Sequence, residues 1–261
     1  MYEKELEFAK RLARASGELI RKNFVAIGST EKKWKEDNSP LTITDTTINR
    51  MVLEAIEKEF PDHTLLGEEE SSAHNNSEFV WVCDPIDGTI PFSHGWPTSC
   101  FTLGLCKDGV PVVGLAYDPY MDRMYFAEKG KGAFVNETKL EVNKITDWRQ
   151  LYIGFDTWPE AKYKFGNALP AILDKNGNLF KLGSAVYCST LVAAGHFSAY
   201  LFGGKTPWDV AAPKVIIEEA GGKVTDIQGN DQRYDRDING AILSNGVTHE
   251  EMVNILAPHL K

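Results

Sequence analysis

Two aspartates lie at the end of an apolar run in the first half of the chain. Residues Phe79 to Cys83 have the composition of a buried strand, which is expected to stop at Asp84-Pro85, where the chain must turn. Asp87 follows three residues after Asp84 on what reads as an irregular segment. Carboxylates and the carbonyls between them are hard oxygen ligands of the kind that bind Mg²⁺ or a similar cation. The spacing therefore predicts a cation site where this strand ends.

Further acidic residues lie at the ends of predicted elements, where a fold holds a side chain still. Asp45 is expected to cap a helix, Glu68 and Glu69 follow the short strand Thr64–Gly67, and Asp209 opens a later helix. An isolated run of acids is usually a solvated turn, but this run follows a strand and lies just upstream of the first aspartate. If these acids converge, they supply more anionic ligands than one divalent ion needs, so two or three metal ions are expected.

A site with several metal ions and bound water suits the attack of a metal-activated water on a phosphate. Thr89 offers a hydroxyl that can hydrogen-bond the water, and Gly88 leaves backbone N–H groups free to face phosphate oxygens. Nucleophilic hydrolysis by a serine is disfavoured, because Ser184 and Ser189 have no paired histidine and acid in a triad-like context. The aspartate spacing also differs from that of an EF-hand calcium loop.

The composition is that of an ordinary globular protein, with 43% hydrophobic and 25% charged residues among 261. The net charge of −9 argues against a general affinity for nucleic acid or for anionic membranes. No apolar run is long enough to span a membrane and no signal peptide is visible, so we expect a cytoplasmic protein. Four cysteines without a C-x-x-C pair predict neither a zinc site nor a disulfide framework. They are Cys83, Cys100, Cys106 and Cys188.

The pattern of elements divides the chain into two halves that should pack as one compact unit. Residues 1–146 read as an α+β half with a large, mainly antiparallel sheet, because strands follow one another around the hairpin signal Lys107-Asp108-Gly109. Residues 147–261 read as an α/β half with a mixed sheet covered by helices. Most of the candidate metal ligands fall in the first half.

Several motifs, in this order and over most of the chain, resemble the inositol monophosphatase family of Mg²⁺-dependent, lithium-sensitive phosphomonoesterases. Any one of them is weak, but D-P-I-D-G-T with the later W-D-x-A and G-E-E is highly specific. The motifs are Ser39-Pro40-Leu41-Thr42-Ile43-Thr44-Asp45, Gly67-Glu68-Glu69, Trp81-Val82-Cys83-Asp84-Pro85-Ile86-Asp87-Gly88-Thr89, Pro207-Trp208-Asp209-Val210-Ala211-Ala212 and Glu218-Glu219-Ala220-Gly221-Gly222.

The resemblance implies a layered α-β-α-β-α sandwich like that of inositol monophosphatase and fructose-1,6-bisphosphatase. It also implies two to three Mg²⁺ ions, for which Mn²⁺ is a possible substitute, a small phosphorylated metabolite as substrate, and a homodimer. The metal ligands that it implies are Glu68, Asp84, the carbonyl of Ile86, Asp87 and Asp209, with Asp84 bridging two ions.

The resemblance also implies roles in catalysis and substrate binding. Thr89, with Asp45 behind it, would orient and help deprotonate the attacking water, Glu68 would take part through a third metal and its water, and Glu69 would support the ligands from behind. The substrate contacts that follow are Asp87, Gly88, Thr89 and the turn Gly183-Ser184-Ala185, to which we add Lys205 as a candidate for an anionic substrate group.

One position differs from the pattern of inositol-specific members. Those members carry a glutamate seven residues before the aspartate of the W-D motif, whereas this chain has Phe202, which cannot replace a carboxylate acceptor. The expected substrate is inositol monophosphate or a related polyol phosphate. The alternatives are histidinol phosphate and fructose 1,6-bisphosphate, followed by a 3′(2′),5′-bisphosphate nucleotide such as adenosine 3′,5′-bisphosphate. A catalytically silent relative that binds a ligand or a partner is the alternative of another class, against which the intact acidic set argues.

Overall fold

The structure is a computed structural model that describes residues 1–24, 33–34, 40–73 and 77–259. Ser39 of the first motif lies outside the described residues. None of the helices in the described ranges combines the length and the apolarity that crossing a membrane requires.

The described residues contain seven α-helices, fourteen strands and four short 3₁₀ helices. The helices are α1 (Glu3–Asn23), α2 (Ile43–Glu59), α3 (Thr89–Ser93), α4 (Leu169–Asp174), α5 (Ala185–Ala193), α6 (Ala211–Glu219) and α7 (His249–Leu256). The strands are β1 (Lys33–Trp34), β2 (Pro40–Leu41), β3 (Thr64–Gly67), β4 (Phe79–Asp87), β5 (Cys100–Lys107), β6 (Val110–Asp118), β7 (Arg123–Glu128), β8 (Ala133–Val135), β9 (Thr138–Lys139), β10 (Tyr152–Asp156), β11 (Asn178–Phe180), β12 (Ala199–Phe202), β13 (Lys223–Thr225) and β14 (Ala241–Ser244). The 3₁₀ helices are Trp148–Gln150, Phe165–Asn167, Pro207–Asp209 and Ala257–His259.

The larger described sheet has the order β3-β4-β5-β6-β7-β8-β9. Only β3 and β4 pair in parallel, so the expected antiparallel character is confirmed. The predicted end of β4 at Asp84 is wrong, because the strand continues through Pro85 to Asp87. Its ladder with β5 shifts register between Asp84 and Asp87, so Pro85, which has no N–H to donate, falls where regular pairing is interrupted.

The smaller described sheet has the order β11-β10-β12-β14-β13. Strand β10 pairs in parallel with β11 on one side and with β12 on the other, whereas β14 runs antiparallel to β12. The sheet is mixed, as the sequence predicted. Because β11, β10 and β12 run in the same direction, their carboxyl ends meet at one edge.

The helices and sheets form five layers. Helices α1 and α2 pack on one face of the larger sheet, and α5 and α6 lie between its other face and the smaller sheet. Helices α4 and α7 contact strands of the smaller sheet. The predicted α-β-α-β-α sandwich is confirmed. The boundary between residues 146 and 147 stays a prediction; it falls between β9 and the 3₁₀ helix Trp148–Gln150.

Two local features fix helices that border the candidate site. Thr42, rather than Asp45, is the N-cap of α2: Asp45 occupies the third helical position and completes a capping box with Thr42. On the other side of the sheet, Gly114 lies under α6, and a Cβ there would overlap the carbonyl oxygen of Ala212. The missing side chain thus lets the helix approach the strand closely. Pro213 is tolerated because it lies in the first turn of α6.

Candidate active site

Two of the predicted metal ligands are held by the irregular end of β4. Asp84 and Asp87 are both buried, and the backbone N–H of Ile86 donates to Asp84 Oδ1 at 2.9 Å. Strand β3 pairs in parallel with β4 so that Gly67 lies opposite Cys83, and the next residue along β3 therefore comes beside Asp84. That residue is Glu68, whose backbone N–H donates to the carbonyl of Cys83 at 3.1 Å and whose negative charge adds to burial in raising the pKa of Asp84. The strand register brings the G-E-E and D-P-I-D motifs together.

The third carboxylate comes from the other half of the chain. Asp209 ends the 3₁₀ helix Pro207–Asp209, which follows β12, and the hydroxyl of Thr206 donates to its carboxylate. Oxygen atoms of Asp84, Asp87 and Asp209 all lie within 4.8 Å of one another. Residues that are more than 100 positions apart thus form one acidic cluster between the two sheets.

The electrostatics of this cluster favour a bound cation. Burial raises the pKa of Asp84 well above its usual range, and the negative charges of Glu68, Asp87 and Asp209 raise it further. Burial likewise raises the pKa of Asp87 to about 7, although hydrogen bonds from Ser184, Val186 and Ala185 oppose the shift. Asp209 is shifted upwards by burial and by the charge of Asp87. Converging carboxylates that repel one another are the donor set of a hard divalent ion such as Mg²⁺ or Mn²⁺, so the residues fit such a metal.

The predicted pair of Thr89 and Asp45 is also brought together. The Thr89 hydroxyl lies at the start of α3, 3.4 Å from Asp45 Oδ1 and 3.2 Å from the carbonyl oxygen of Ile86. Asp45 is fully buried and is held by Thr42, whose backbone N–H donates to Oδ2 at 2.9 Å and whose hydroxyl donates to the same oxygen. The capping box of α2 therefore fixes the carboxylate that faces Thr89.

The turn before α5 meets the end of β4. Asp87 accepts the backbone N–H of Ala185 at 3.0 Å, that of Val186 at 2.9 Å and the hydroxyl of Ser184. Gly88 has a φ of +86°, and a Cβ on it would lie 2.9 Å from Cβ of Ser184, so this left-handed position leaves no room for a side chain. Asp87, Gly88 and the predicted substrate-side turn are direct neighbours.

Comparison with protein-family models matches residues 1–261 to the inositol monophosphatase family. The chain belongs to this family. The inositol-1-monophosphatase of Bacillus subtilis is 33% identical over 227 residues, which are 85% of this chain and 85% of that protein. A fructose-1,6-bisphosphatase/inositol-1-monophosphatase of Aquifex aeolicus is 32% identical over 225 residues, again 85% of both chains. Among solved structures, the IMPase of Thermotoga maritima covers 98% of both chains with a TM-score of 0.87 and 27% identity.

Membership in the inositol monophosphatase family makes this protein a phosphatase of the inositol monophosphatase and fructose-1,6-bisphosphatase type, and the family depends on metal ions. The acidic cluster of Asp84, Asp87 and Asp209 is where this chain can bind them. The individual roles assigned to Glu68, Ile86 and the substrate-side residues stay predictions.

Two residues singled out for the substrate lie at the end of β12. Phe202 is buried as the last residue of that strand, and its ring lies 5.9 Å from that of Trp158. Lys205 follows in the loop, where its ammonium pairs with Asp237 at 2.9 Å while its side chain stays 65% exposed. An exposed pair of this kind contributes little to stability. The predicted contact between Lys205 and an anionic substrate group stays a prediction.

Asp156 is a further candidate site residue, which the sequence analysis did not single out. It is the last residue of β10 and lies opposite Phe202 on the neighbouring strand. Asp156 directly ends a strand, but this local pattern does not show which strands lie beside β10.

Proposed function

We propose that this chain is a Mg²⁺-dependent phosphomonoesterase that hydrolyses a small phosphorylated polyol, with inositol monophosphate as its first candidate substrate. The observation that carries the proposal is the convergence of Asp84, Asp87 and Asp209 within 4.8 Å in a member of a phosphatase family. The names of the relatives from Bacillus subtilis and Aquifex aeolicus support inositol monophosphate, and the second also supports fructose 1,6-bisphosphate as the alternative.

In this proposal, two to three Mg²⁺ ions are held by the acidic cluster. After burial, the charges of Glu68, Asp87 and Asp209 all raise the pKa of Asp84, which supports Asp84 as the ligand that two ions would share. The backbone carbonyl of Ile86 would be a further oxygen ligand of the ions. When bound, the ions lower the pKa of a water molecule and stabilise the negative charge on the phosphate and on the leaving oxygen.

The protein's own residues handle the proton. The attacking water forms a bond from its oxygen to phosphorus, and the bond between phosphorus and the polyol oxygen breaks. The water proton passes to the hydroxyl oxygen of Thr89, which gives its own proton to Asp45 along the contact of 3.4 Å. Solvent supplies the proton that the polyol oxygen takes up. The two hydrogen bonds from Thr42 keep Asp45 directed at Thr89 throughout.

The other residues orient the substrate. Gly88 and Thr89 open α3, so their backbone N–H groups are available to phosphate oxygens, and the positive φ of Gly88 is a backbone conformation that a residue without a Cβ adopts readily. The turn Gly183-Ser184-Ala185 borders the same space through its contacts with Asp87. We assign this turn to the polyol side of the substrate.

We also propose a cytoplasmic homodimer, for which the family resemblance and the sequence composition are the support. Sedimentation equilibrium tests the oligomeric state: a mass near 58 kDa, twice the 29.1 kDa of one chain, is expected. Fractionation of the source cells tests the location, and recovery of the protein in the membrane fraction contradicts it.

Phosphate release from a panel of substrates tests the function. The panel is inositol 1-phosphate, histidinol phosphate, fructose 1,6-bisphosphate, adenosine 3′,5′-bisphosphate and p-nitrophenyl phosphate, each with Mg²⁺, with Mn²⁺ and with a chelator. We expect metal-dependent release that is fastest with inositol 1-phosphate, and none from the matched variant Asp84→Asn. If the folded wild type releases phosphate from no member, the proposal is wrong and the protein is a silent relative.

A further inference from the structure

Asp156 ends the central one of three parallel strands whose carboxyl ends meet at one edge of the smaller sheet. Strand β10 pairs with β11 on one side and with β12 on the other. The segment after β11 leads to the turn at Ser184, which contacts Asp87, and the segment after β12 leads to Asp209. Ligands of parallel sheets bind outside the carboxyl ends of the strands. Asp156 therefore lies between the two segments that border the acidic cluster.

The Asp156 carboxylate is buried but only half satisfied by the protein. The residue is 8% exposed, and its Oδ2 accepts the hydroxyl of Tyr200 at 3.0 Å. Among the residues that the structure describes, no group donates a hydrogen bond to Oδ1. Burial raises the pKa of Asp156 to about 6, and the charge of Lys181 is among the effects that oppose this shift. Oδ1 is not one of the buried side-chain atoms that lack a partner, so it reaches solvent and is open to a donor from outside the chain.

A second aspartate at the same edge shows the contrast. Asp226 follows β13 and is 6% exposed, but the chain itself satisfies its two oxygens. Its Oδ1 accepts the backbone N–H groups of Gln228 at 2.9 Å and Asn230 at 2.8 Å, and its Oδ2 accepts the side-chain amide of Asn239 at 3.2 Å. Asp226 thus organises a loop, whereas Asp156 keeps an acceptor for something else.

The electrostatics agree that Asp156 faces the acidic cluster. Burial is the main cause that raises the pKa of Asp87 and of Asp209, and the negative charge of Asp156 raises both further. Across the strand, Asp156 pairs with Phe202, whose ring packs 5.9 Å from that of Trp158, and this indole is 38% exposed. A carboxylate oxygen beside aromatic rings suits a molecule that presents hydroxyl groups and C–H bonds.

We propose that Asp156 determines substrate specificity by accepting, at Oδ1, a hydrogen bond from a hydroxyl group of the phosphorylated polyol. This inference rests on the proposed phosphatase function and names the part of the substrate that the acidic cluster does not bind. Phe202 offers no acceptor at the neighbouring strand end, so Asp156 supplies it. The negative charge also disfavours a second phosphate at this place, which selects a monophosphate over a bisphosphate.

Comparison of two substrates tests the proposal. Inositol 1-phosphate carries ring hydroxyls, whereas p-nitrophenyl phosphate has none, so only the first uses Asp156. With Asp156→Ala we expect kcat/KM for inositol 1-phosphate to fall roughly 10- to 100-fold, while that for p-nitrophenyl phosphate stays within about twofold. Asp156→Asn keeps an acceptor without the charge, so its kcat/KM for inositol 1-phosphate should lie between those of the wild type and of Asp156→Ala. It should also raise the ratio of fructose 1,6-bisphosphate to inositol 1-phosphate turnover, a change that a purely structural role does not produce.

Asp226→Asn is the matched control, because it alters a buried aspartate of the same sheet edge whose partners all belong to the chain; its two activities should keep the wild-type ratio. Turnover of p-nitrophenyl phosphate reports in each variant that the site is folded. Equal loss on both substrates, or loss on neither, overturns the role of Asp156 and leaves the phosphatase function standing. The same conclusion holds if the wild type hydrolyses p-nitrophenyl phosphate but not inositol 1-phosphate. If the wild type hydrolyses neither substrate, the proposed phosphatase function is wrong, and the role of Asp156 that rests on it is wrong as well.

Discussion

The carboxylate of Asp87 accepts the backbone N–H of Ala185 at 3.0 Å, which joins the end of β4 to the start of α5. The next N–H of α5, from Val186, and the hydroxyl of Ser184 donate to the other oxygen of Asp87. A negative charge at a helix N-terminus satisfies N–H groups that have no partner within the helix. Asp87 is therefore both part of the acidic cluster and a connection between β4 and α5, whereas the backbone donor to Asp84 is Ile86 of its own strand.

This difference predicts different effects of two isosteric substitutions. Asp87→Asn also removes a charge that burial disfavours, but its NH₂ group meets other N–H donors of the turn and of α5, so we expect a net cost of about 1–2 kcal/mol of unfolding free energy. Asp84→Asn removes a charge that three neighbouring carboxylates repel, so the metal-free protein should keep or gain stability. Both variants should lose Mg²⁺-dependent activity. Urea unfolding in a chelator at pH 7 measures the stabilities, and an equal loss in both variants contradicts the second role of Asp87.

The hydroxyl of Thr89 predicts a loss of rate without a loss of binding. Thr89→Val keeps the shape of the side chain but cannot pass a proton to Asp45, so kcat should fall about 100-fold with KM changed less than about threefold. Thr89→Ser retains the hydroxyl and is the matched control, expected within about fivefold of the wild type. Steady-state kinetics with inositol 1-phosphate or p-nitrophenyl phosphate measure both. If the valine variant keeps the serine variant's rate, Thr89 does not carry the proton.

The sequence was sufficient for those parts of the site that depend on strand ends. Asp84 and Asp87 could be predicted because an apolar run must end where Asp and Pro follow it. The exact end of β4 could not, because a register shift against β5 lets Pro85 remain inside the strand. The N-cap of α2 was also predicted at the wrong residue. Thr42 and Asp45 are both residue types that cap helices, and only the side-chain hydrogen bonds show that Thr42 is the cap.

Asp156 shows what sequence patterns do not contain. Its importance depends on the order β11-β10-β12, which puts its strand between the two segments that border the acidic cluster. Hydrophobic periodicity identifies each strand but not its neighbours, since parallel strands are joined by long connections whose length does not fix their order. Its partner Tyr200 lies 44 positions away in the chain, so no local motif links the two.

Close packing under α6 predicts that a distant glycine affects the site. A Cβ at Gly114 would overlap the carbonyl oxygen of Ala212, and α6 begins two residues after Asp209. Gly114→Ala should therefore displace α6, lower stability by about 1–3 kcal/mol and raise the Mg²⁺ concentration needed for half-maximal activity. Gly166→Ala is the control, because a Cβ there meets nothing within 4 Å. Thermal unfolding and a Mg²⁺ titration measure both effects. Wild-type values for Gly114→Ala contradict the close approach.

Removal of divalent metal should destabilise the protein more at neutral than at acidic pH. The pKa of Asp87 is raised to about 7, mainly by burial, so without metal the fold loses stability as pH rises from about 4 towards 7 and this carboxylate must ionise. A bound cation removes that loss, because it binds the ionised form. Saturating Mg²⁺ should therefore raise Tm by roughly 5–10 °C at pH 7.5 and by much less at pH 5. Differential scanning fluorimetry with Mg²⁺ or chelator measures the shift, and Asp84→Asn should show little of it. A shift that is the same at both pH values counts against the cluster as its source.

A buried histidine far from the acidic cluster should set the acid sensitivity of the fold. His249 at the start of α7 is hydrogen-bonded through Nε2 to the Thr225 hydroxyl at 2.9 Å and through Nδ1 to that of Ser244 at 2.8 Å. Burial, with the positive charges of Lys223 and Lys214, lowers its pKa from 6.5 to about 4. Between pH 6.5 and about 4, the imidazole of His249 is therefore protonated in the unfolded chain and neutral in the folded protein.

The stability that this neutral imidazole contributes is fully present above pH 6.5 and is lost as pH falls towards 4, at a rate of up to about 1.4 kcal/mol per pH unit. His249→Gln retains one donor and one acceptor but does not titrate. We expect the variant to be less stable than the wild type at pH 7.5 and to approach it at pH 4.5, so that the difference between them shrinks by about 2 kcal/mol. Urea unfolding of both proteins in a chelator at the two pH values measures this, and carboxylates shared by both proteins cancel in the difference. A constant difference would show that His249 is not the group that titrates.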